Sequence, residues 1–395
     1  MATFALPSSV IDESTTETGF NPIAPVTVYI SATQPVSIIA SSITADGSAG
    51  DRYLVLPTTL LQKNYVVAGR SQINGQQSSF VHMVYIIATQ DGTEISTRIL
   101  GLNGASTQPM SAGEMLKYTT DDEYTIAINS SKPVALVAGT TCFTYADGRC
   151  DHQAYMPLPV PDSCSNPGDQ LYLLADINGN NNNYFVGSTY DCNIQYDFDS
   201  MSPSGGGSGR LNPIEPVQMF NSSASPEQNS QGTHTITTNI NPLQIIRLGQ
   251  NPSYQGVYLV TVPSVAQYVT GTVFFTAFGR TNNIQVIGDT AAQQSALLNG
   301  QAAALGFWQP YNNVDGYSIT HVPVDLGQLY NFTASGKFII TVYGQGGGMS
   351  FIFFNFTQYF YDNNHFSSII DFHDNNYFNS IINVHGNNHR VRKKF

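Results

Sequence analysis

The sequence predicts an all-β protein made of tandem β-sandwich-like units built from repeated antiparallel hairpins. First, short runs of Val, Ile and Leu alternate with turns rich in Asn, Gly, Pro and Asp along most of the chain. Second, long helical periodicity is almost absent, and the best candidate, residues 289–307, is interrupted by Gly300, so we expect at most a short helix there. Third, one strand-turn-strand phrase recurs four times at the spacing of whole domains.

The four copies of this phrase are similar in pattern. They read "TVYISATQPVSIIA", "TIAINSSKPVALVAG", "TITTNINPLQIIRLG" and "LYNFTASGKFIITVYG". Each predicts a β-hairpin, in which a short alternating strand, a polar turn and an apolar strand follow one another. Pro35, Pro133 and Pro242 stand at the turn exit, where a fixed φ and a missing N–H are tolerated, and Lys337 takes this place in the last copy.

The spacing of these phrases predicts duplicated domains. Positions 35, 133, 242 and 337 are 98, 109 and 95 residues apart, about the length of a small β-sandwich. We therefore divide the chain into an N-terminal extension at 1–25, β units at 26–124, 125–234 and 235–345, and a low-complexity tail at 346–395. Inside the first unit, "FVHMVYIIATQDGTEISTRIL" predicts two alternating strands joined at Asp91-Gly92, a dipeptide suited to a type I′ turn.

Composition excludes several classes of partner. Charged residues make up 11% of the 395 residues and the net charge is −12, with no cluster of Lys and Arg before the final "RVRKK". Nucleic acid and anionic membrane surfaces are therefore not expected as partners. No apolar run reaches the roughly 18 residues of a membrane-spanning helix. Solubility that rests on neutral polar residues favours a secreted, extracellular β-rich protein, although the first 20 residues do not read as a signal peptide.

The cysteines and the glycosylation sequons agree with an oxidising compartment. The cysteines lie in one window and form none of the CxxC pairs that zinc prefers, so disulfide bonds are expected. They are Cys142, Cys150, Cys164 and Cys192. Cys142 with Cys150 and Cys164 with Cys192 is one of three possible pairings, and the sequence does not choose among them. Four Asn-x-Ser/Thr sequons predict a glycoprotein, with sites at Asn129, Asn221, Asn331 and Asn355.

No motif predicts catalysis. Asp151-His152 pairs a carboxylate with an imidazole, but neighbouring residues of a strand point to opposite faces, and no GxSxG or HExxH motif supplies the rest of a site. Without these parts, we expect no catalytic residue and no enzyme activity.

Metal and cofactor sites are not expected either. "DINGNNNN" at 176–183 places oxygen ligands at alternate positions, but Asn181 and Gly187 stand where a calcium loop needs Gly and Glu. The histidines of the tail, at 365, 373, 385 and 389, have spacings that suit no compact metal site.

Two aromatic residues are candidates for binding. Trp308 and Tyr311 in "GFWQPYNN" have the large, rigid surface that anchors a protein partner or stacks on a sugar. Packing in a core is the alternative interpretation of both.

The second unit resembles a known family. "SSKPVALVAGTTCFTYADGRCDHQAYMPLPV" is similar to a segment of the N-terminal domain of IgG Fc-binding proteins, in which Lys-Pro-Val-Ala precedes a cysteine pair, Cys-Asp-His and a Pro-rich stretch. These are Lys132–Ala135, Cys142, Cys150–His152 and Pro157–Pro161 here. "QPVSIIASS", "LPTTLLQKNYVV" and "IIATQDGTEI" fit the same pattern in order, so the resemblance covers 26–345.

The resemblance implies a binding module without catalysis. In that family the domain accompanies von Willebrand type D and other Cys-rich modules in large secreted mucus or adhesive proteins. This chain has no Cys-rich extension, so assembly into a mucin-like polymer is not carried over, and neither is the immunoglobulin partner.

We therefore expect an extracellular, non-enzymatic binding or adhesion module that recognises a protein or glycan through loops at the strand ends. One alternative is a structural mucus or matrix component without a dedicated site. The other is a secreted carbohydrate-active enzyme, which would need two carboxylates roughly 5 to 10 Å apart in a groove.

Overall fold

The structure of the chain is a computed structural model. It describes residues 2–5, 19–23, 27–32, 37–44, 50–69, 72–73, 76–77, 81–99, 105–144, 150–160, 167–177, 181–188, 195–200, 207–210, 218–222, 232–240, 243–251, 256–277, 281–311, 314–346, 349–355, 366–371, 378–385 and 389–392. Nearly all regular structure in these ranges is β-strand, and the strands pair antiparallel, so the predicted all-β class is confirmed.

The strands follow one another closely along the chain. The first group is β1 (Ala2–Ala5), β2 (Gly19–Ile23), β3 (Thr27–Ala32), β4 (Ser37–Thr44), β5 (Gly50–Leu54), β6 (Asn64–Gly69), β7 (Gln72–Ile73), β8 (Gln76–Gln77), β9 (His82–Ala88), β10 (Thr93–Ile99), β11 (Ala105–Met110), β12 (Met115–Thr120), β13 (Tyr124–Ser130), β14 (Val134–Thr144) and β15 (Cys150–Tyr155). The second group is β16 (Pro167–Ala175), β17 (Asn181–Ser188), β18 (Gln195–Ser200), β19 (Gly207–Arg210), β20 (Gln218–Ser222), β21 (Thr233–Ile240), β22 (Leu243–Asn251) and β23 (Gly256–Val262).

The third group contains a short α-helix. It is β24 (Val269–Thr276), β25 (Thr281–Asp289), α1 (Thr290–Ser295), β26 (Leu297–Leu298), β27 (Gln309–Pro310), β28 (Tyr317–Val324), β29 (Leu329–Gly346), β30 (Met349–Asn355), β31 (Phe366–Asp371), β32 (Phe378–His385) and β33 (His389–Arg392). Short 3-10 turns lie at Thr58–Leu60, Val265–Gln267 and Ala302–Leu305. Among the described residues, no helix has the length and apolar character needed to cross a membrane.

Two sandwiches share one strand order. In the first sandwich, the sheet β11-β10-β13-β6 faces the sheet β15-β14-β9-β12-β2. In the second sandwich, β19-β18-β21-β16 faces β23-β22-β17-β20. The strands of the two sandwiches correspond one to one in chain order: β6 corresponds to β16, β9 to β17, and so on up to β15, which corresponds to β23. With this correspondence the two strand orders are identical, except that the first sandwich has the additional edge strand β2. The two sandwiches are therefore copies of one topology.

The strands β24 to β30 (residues 269–355), which we call the third unit from here on in place of the predicted range 235–345, follow the same plan in reduced form. The sheet of this unit pairs β24 with the first half of β29, and pairs the second half of β29 with both β25 and β30, while β28 pairs with β25. In the second sandwich, β16 pairs with β21 in the same way as β24 pairs with the first half of β29. There β22 also pairs with β17 and β23, as the second half of β29 pairs with β25 and β30. Helix α1 and β26 lie where the second sandwich has β18 and β19, which matches the expectation of at most a short helix in 289–307.

In each sandwich, one sheet is buried on both faces, and we call it the inner sheet. The inner sheets are the one that contains β9 and the one that contains β17, and each packs against its own sandwich core on one face and against the layer before it in the chain on the other. In β9, Val84 and Ile86 lie in the core of the first sandwich, whereas Met83 and Tyr85 pack on the other side with Val28 and with residues of β4. We call the sheets β1-β32-β4-β5 and β31-β3-β33 the N-terminal layer. In the same way, Tyr184 of β17 lies inside the second sandwich, and Phe185 packs against the first.

The layers close into a ring. Ile39 and Leu54 of the N-terminal layer belong to the core of the third unit, so the first and last layers are in contact. The four edge strands β5, β15, β23 and β30 meet at the centre, where β15 contacts β5 and β23, and β30 contacts both as well. Within residues 346–395, predicted as a tail, β31 and β33 pair with β3, and β32 pairs with β1 and β4.

The four related phrases differ from the prediction in how their strands pair. β3 and β4 belong to different sheets, as do β13 and β14, and β21 and β22, while the last phrase is one continuous strand, β29. Each of the first three phrases thus carries the chain from one sheet of a layer to the facing sheet, because alternating strands around a short turn suit such an arch as well as a hairpin. The repeated hairpins lie one strand later, at β4–β5, β14–β15, β22–β23 and β29–β30.

The predicted turn at Asp91-Gly92 behaves in the same way. Gly92 has φ +63°, but Asp91 lacks the positive φ that a type I′ turn also requires, and β9 and β10 lie in facing sheets and do not pair with each other. The division of the chain at 26–124, 125–234 and 235–345 stays a prediction.

Candidate functional site

The predicted aromatic residues Trp308 and Tyr311 lie largely inside the protein. Tyr311 is 3% exposed, and its hydroxyl lies 2.7 Å from the carbonyl oxygens of both Leu174 and His234. Burial raises the pKa of this hydroxyl well above its usual range, so it remains a donor. Trp308 is half-buried and packs against the core of the third unit. In this position Tyr311 joins the third unit to the second sandwich.

The cysteines and sequons are only partly described. Cys142 and Cys150 lie on β14 and β15, the two strands of one hairpin, whereas Cys164 and Cys192 lie outside the described residues. The disulfide bonds stay a prediction.

The four sequons lie on strands. Asn129 on β13 is exposed and Asn331 on β29 is partly exposed, while Asn221 and Asn355 fall on β20 and β30. Glycosylation also stays a prediction.

Asp151, considered as part of a general base, lies at the centre of the ring. Its side chain is 0% exposed, and Oδ2 accepts a hydrogen bond of 3.0 Å from the backbone N–H of Val257 on β23. Asp51 on β5 is placed similarly, because its Oδ2 accepts a 3.1 Å bond from the N–H of Ala154 on β15. We call Asp51 and Asp151 the acid pair. Each carboxylate joins its own edge strand to the next one in the ring.

The environment of Asp51 disfavours its charged form. Burial raises the pKa of Asp51 well above its usual range, and the negative charge of Asp151 raises it further. The backbone N–H groups of Ala154 and Arg52 act in the opposite direction. The acid pair is thus a buried, interacting pair of carboxyl groups at the contact of three edge strands.

A second cluster lies between the second sandwich and the third unit. Asp176 is the first residue of the calcium-like stretch, and its Oδ1 accepts a hydrogen bond of 3.0 Å from the Tyr184 hydroxyl. Its Oδ2 lies 3.2 Å from Nε2 of His234. Both Asp176 and His234 side chains are 3% exposed. Asn182 in the same stretch accepts a 2.7 Å bond from the Tyr258 hydroxyl. These oxygens therefore serve as acceptors in the protein interior.

Arg247 and His321 complete this cluster. The Arg247 Nη1 donates 2.6 Å to the carbonyl oxygen of Ala175, and the guanidinium carbon lies 5.9 Å from the centre of the Tyr258 ring. His321 Nδ1 is 3.0 Å from the Tyr343 hydroxyl. Burial, with a smaller effect of Arg247, lowers the pKa of His321 to about 4, so the imidazole is neutral at pH 7. Sequence reasoning missed this cluster because its members are distributed over several strands.

No metal centre is built from the described ranges. They bring together no group of three or more His, Cys, Asp or Glu side chains that could hold an ion.

The third unit also presents apolar side chains to solvent. Leu326 is 62% exposed, Leu329 55% and Phe274 36%. Leu329 pairs with Thr276, two residues from Phe274 on β24, and Leu326 forms a bridge with Ala277 at the same end of the sheet. Alternate residues of a strand share a face, so Leu329 and Phe274 are diagonal neighbours. We call Phe274, Leu326 and Leu329 the apolar surface, and it is our candidate for a contact surface.

A further exposed aromatic residue lies in the same unit. Phe307, next to Trp308, is 80% exposed, in contrast to its half-buried neighbour. Four of the five large apolar side chains that are exposed among the described residues thus belong to the third unit, and the fifth is Tyr29.

Comparison with known proteins gives one family match. Residues 51–344 match the profile of a family described as IgGFc binding protein. No curated protein sequence matches the chain. Among solved structures, the chain is similar to the viral chemokine binding protein R17 encoded by rodent gammaherpesvirus Peru, with 8% identity over 80% of this chain and 92% of that chain. The TM-score is 0.19, which does not indicate a shared fold.

Proposed function

The chain belongs to the IgGFc binding protein family, and from that membership we propose that it is an extracellular, non-enzymatic binding module for a protein partner. The family match carries this proposal. It runs from β5 to the second half of β29, and therefore covers both sandwiches and most of the third unit. The binding unit that we propose accordingly contains both sandwiches together with the third unit, and not a single sandwich.

The repeated hairpins support a partner site at the strand ends. The hairpins β4–β5, β14–β15, β22–β23 and β29–β30 occupy the same place in successive layers, and their second strands meet at the ring centre. We propose that loops at these strand ends contact the partner, because loops held by a rigid sheet scaffold are well suited to recognition. The net charge of −12 favours a partner whose contact surface is basic.

The apolar surface is the described feature that best fits a protein contact. Exposed Leu and Phe side chains that lie together gain free energy when a partner covers them, whereas scattered ones contribute little. A sugar would find few polar partners at Leu326, Leu329 and Phe274. This composition favours a protein over a glycan at this surface.

The buried ionisable pairs support a role without catalysis. Asp176 with His234, and Asp51 with Asp151, are the ionisable pairs that come closest to an enzyme-like arrangement among the described residues, and all four side chains are at most 3% exposed. A general acid or base has to come within hydrogen-bond distance of its substrate. A glycosidase would need its carboxylates in a groove.

The proposal is tested by direct binding measurements on the full chain. The immobilised protein is exposed to the Fc fragment of immunoglobulin G, the ligand in the family's description, then to fractionated extracellular fluid, and in a separate arm to a glycan array. We expect saturable binding to a protein. Binding to glycans alone would overturn the protein assignment, and binding to nothing in any arm would favour the structural alternative.

The contact surface is tested by substitution. Leu329→Ser and Phe274→Ser are each expected to weaken partner binding about tenfold or more, as for truncation of a buried anchor. Thr107→Ala on the exposed strand β11 is the matched control. If both serine variants bind like the control, the partner contacts another surface, although the binding function itself would stand.

The extracellular assignment has its own test. Native protein is treated with an alkylating reagent without reduction and then mapped by mass spectrometry. Disulfide-linked peptides are expected, whereas free alkylation of all four cysteines would contradict an oxidising compartment.

A further inference from the structure

A small buried pocket lies between the first and second sandwiches. Its cavity volume is about 20 Å³. His82, Tyr124, Gln153 and Tyr155 line it from the first sandwich, and Phe185 and Leu248 line it from the second. The pocket therefore combines polar groups from one layer with apolar side chains from the next.

Two polar atoms in this pocket lack a protein partner. Tyr155 is 4% exposed and Gln153 is 1% exposed. Within the part of the chain that the structure describes, neither the Tyr155 hydroxyl nor Gln153 Nε2 has a hydrogen-bond partner. Buried polar groups in folded proteins are nearly always hydrogen-bonded, because a buried group without a partner loses its hydrogen bonds to water and forms none in their place.

The equivalent junction, between the second sandwich and the third unit, shows what the pocket lacks. The register of β17 with β22 and of β25 with β29 makes Gln285 the counterpart of Phe185, and Tyr343 the counterpart of Leu248. Gln285 Nε2 donates 3.2 Å to the carbonyl oxygen of Asp176, and the Tyr343 hydroxyl lies 3.0 Å from His321. Protein side chains supply hydrogen bonds at this junction, whereas Phe185 and Leu248 supply none at the other.

We propose that the pocket between the two sandwiches is a binding site for ordered water that links the Tyr155 hydroxyl to Gln153 Nε2. A water molecule can accept a hydrogen bond from Gln153 Nε2, and it can either donate a hydrogen bond to the Tyr155 hydroxyl or accept one from it. A cavity needs roughly 10 to 15 Å³ to hold one water, so the volume of about 20 Å³ is sufficient. It is far below the roughly 300 Å³ of a site for a sugar or metabolite. The water supplies the hydrogen bonds that Phe185 and Leu248 of the second sandwich cannot supply to Tyr155 and Gln153.

The direct test is a crystal structure of the full chain that resolves ordered solvent. We expect a density peak at about 2.7 to 3.2 Å from both the Tyr155 hydroxyl and Gln153 Nε2. A pocket without such a peak would overturn the proposal. Because Gln153 Nε2 and the Tyr155 hydroxyl could both donate to an anion, the crystal is also soaked in bromide, and an anomalous peak in the pocket would overturn the proposal in favour of a halide.

A stability measurement gives a second, independent readout. Tyr155→Phe removes one partner of the water, so we expect the unfolding equilibrium constant in urea titrations to rise about threefold to tenfold. If the hydroxyl is unpartnered, its removal relieves a penalty, and the variant would be as stable as the wild type or more so, which would overturn the proposal. Tyr172→Phe is the matched control, since that buried hydroxyl donates 3.1 Å directly to the Leu243 carbonyl oxygen.

Discussion

Asp51 and Asp151 show how single carboxyl groups join strands whose outer edges have no ladder partner. β5, β15 and β23 are each at the edge of a sheet, so their outer backbone groups need other partners. Asp51 accepts from the Ala154 N–H and Asp151 accepts from the Val257 N–H. Burial removes the water that would otherwise compete for these two N–H groups. The acid pair therefore connects three layers at the ring centre.

The raised pKa of Asp51 predicts a specific pH dependence of folding. Its pKa in the folded state lies above the usual value of 3.8, chiefly because of burial. The contribution of Asp51 to stability is complete below about pH 3.8 and is lost as the pH rises through the higher folded-state pKa. Asp51→Asn stays neutral and avoids this loss. In urea titrations between pH 4 and 8, we expect the stability of the wild type to fall relative to that of Asp51→Asn.

The control for this prediction is Asp122→Asn, which changes an exposed carboxylate. It should follow the pH profile of the wild type. Parallel profiles for wild type and Asp51→Asn would show that Asp51 titrates as it does in the unfolded chain. Asp51→Ala removes the acceptor of the Ala154 N–H as well, and is expected to cost about 1 to 3 kcal/mol at every pH.

At the scale of single elements, two glycines allow the repeated hairpins to pack closely. Gly139 on β14 faces Ala154, and Gly249 on β22 faces Tyr258. A Cβ at Gly139 would lie 2.0 Å from the Gln153 carbonyl oxygen, and one at Gly249 would lie 1.8 Å from the Tyr258 ring. Neither glycine has a positive φ, so lack of space and not backbone conformation requires them.

These contacts predict that Gly139→Ala is strongly destabilising. The atom it would meet belongs to the backbone of the paired strand and cannot rotate away, so we expect a loss of about 3 kcal/mol in urea titrations. Gly92→Ala is the control, because Gly92 has φ +63° and its Cβ would meet nothing closer than 3.8 Å. That variant should lose only about 1 kcal/mol from backbone strain. A smaller loss for Gly139→Ala than for Gly92→Ala would contradict the steric explanation.

The sequence was sufficient for the strands but not for their partners. Alternating apolar residues predicted β13 and β14, and the Ala-rich stretch broken at Gly300 predicted little helix, as α1 (Thr290–Ser295) shows. The pairing of β13 and β14 was wrong, because the same alternation is satisfied whether the second strand lies beside the first or opposite to it. Choosing between them requires the facing sheet, which local sequence does not contain.

The candidate surface and the buried clusters depended on the same long-range information. Tyr311 was recognisable as a large aromatic residue, but its hydroxyl meets Leu174 and His234, which are 137 and 77 residues away. Leucine is usually buried in a β protein, so the residue type of Leu326 and Leu329 gives no sign of exposure. Only the fold shows that both side chains are exposed. The missing signal in each case is which residues the ring brings together.

At the scale of the whole molecule, each layer is stabilised on two sides. The inner sheet of each sandwich buries one face in its own core and the other against the preceding layer. A sheet with two buried faces gains about twice the apolar burial of a solvent-exposed sheet, at roughly 25 cal/mol per Å². Because Ile39 and Leu54 pack in the core of the third unit, no layer of this series is left without a neighbour.

Ring closure makes a prediction that two adjacent residues can test. Ile38 and Ile39 on β4 are 0% and 2% exposed but face opposite ways, Ile38 toward the core shared with β9 and Ile39 toward the core of the third unit. Either change to Ala should cost about 2 to 5 kcal/mol, because each leaves a cavity. Their effects on hydrogen exchange under native conditions should differ in place.

Mass spectrometry of peptic peptides distinguishes the two variants. Ile39→Ala should increase exchange in β25, β28 and β29 of the third unit, although these strands follow β4 by more than 230 residues. Ile38→Ala, which is matched in chemistry and burial, should instead increase exchange in β9 and β14. If Ile39→Ala leaves exchange in the third unit unchanged, the first and last layers fold independently and the ring is not closed in solution. The expected result would mean that β4 couples the two ends of the series through one side chain on each face.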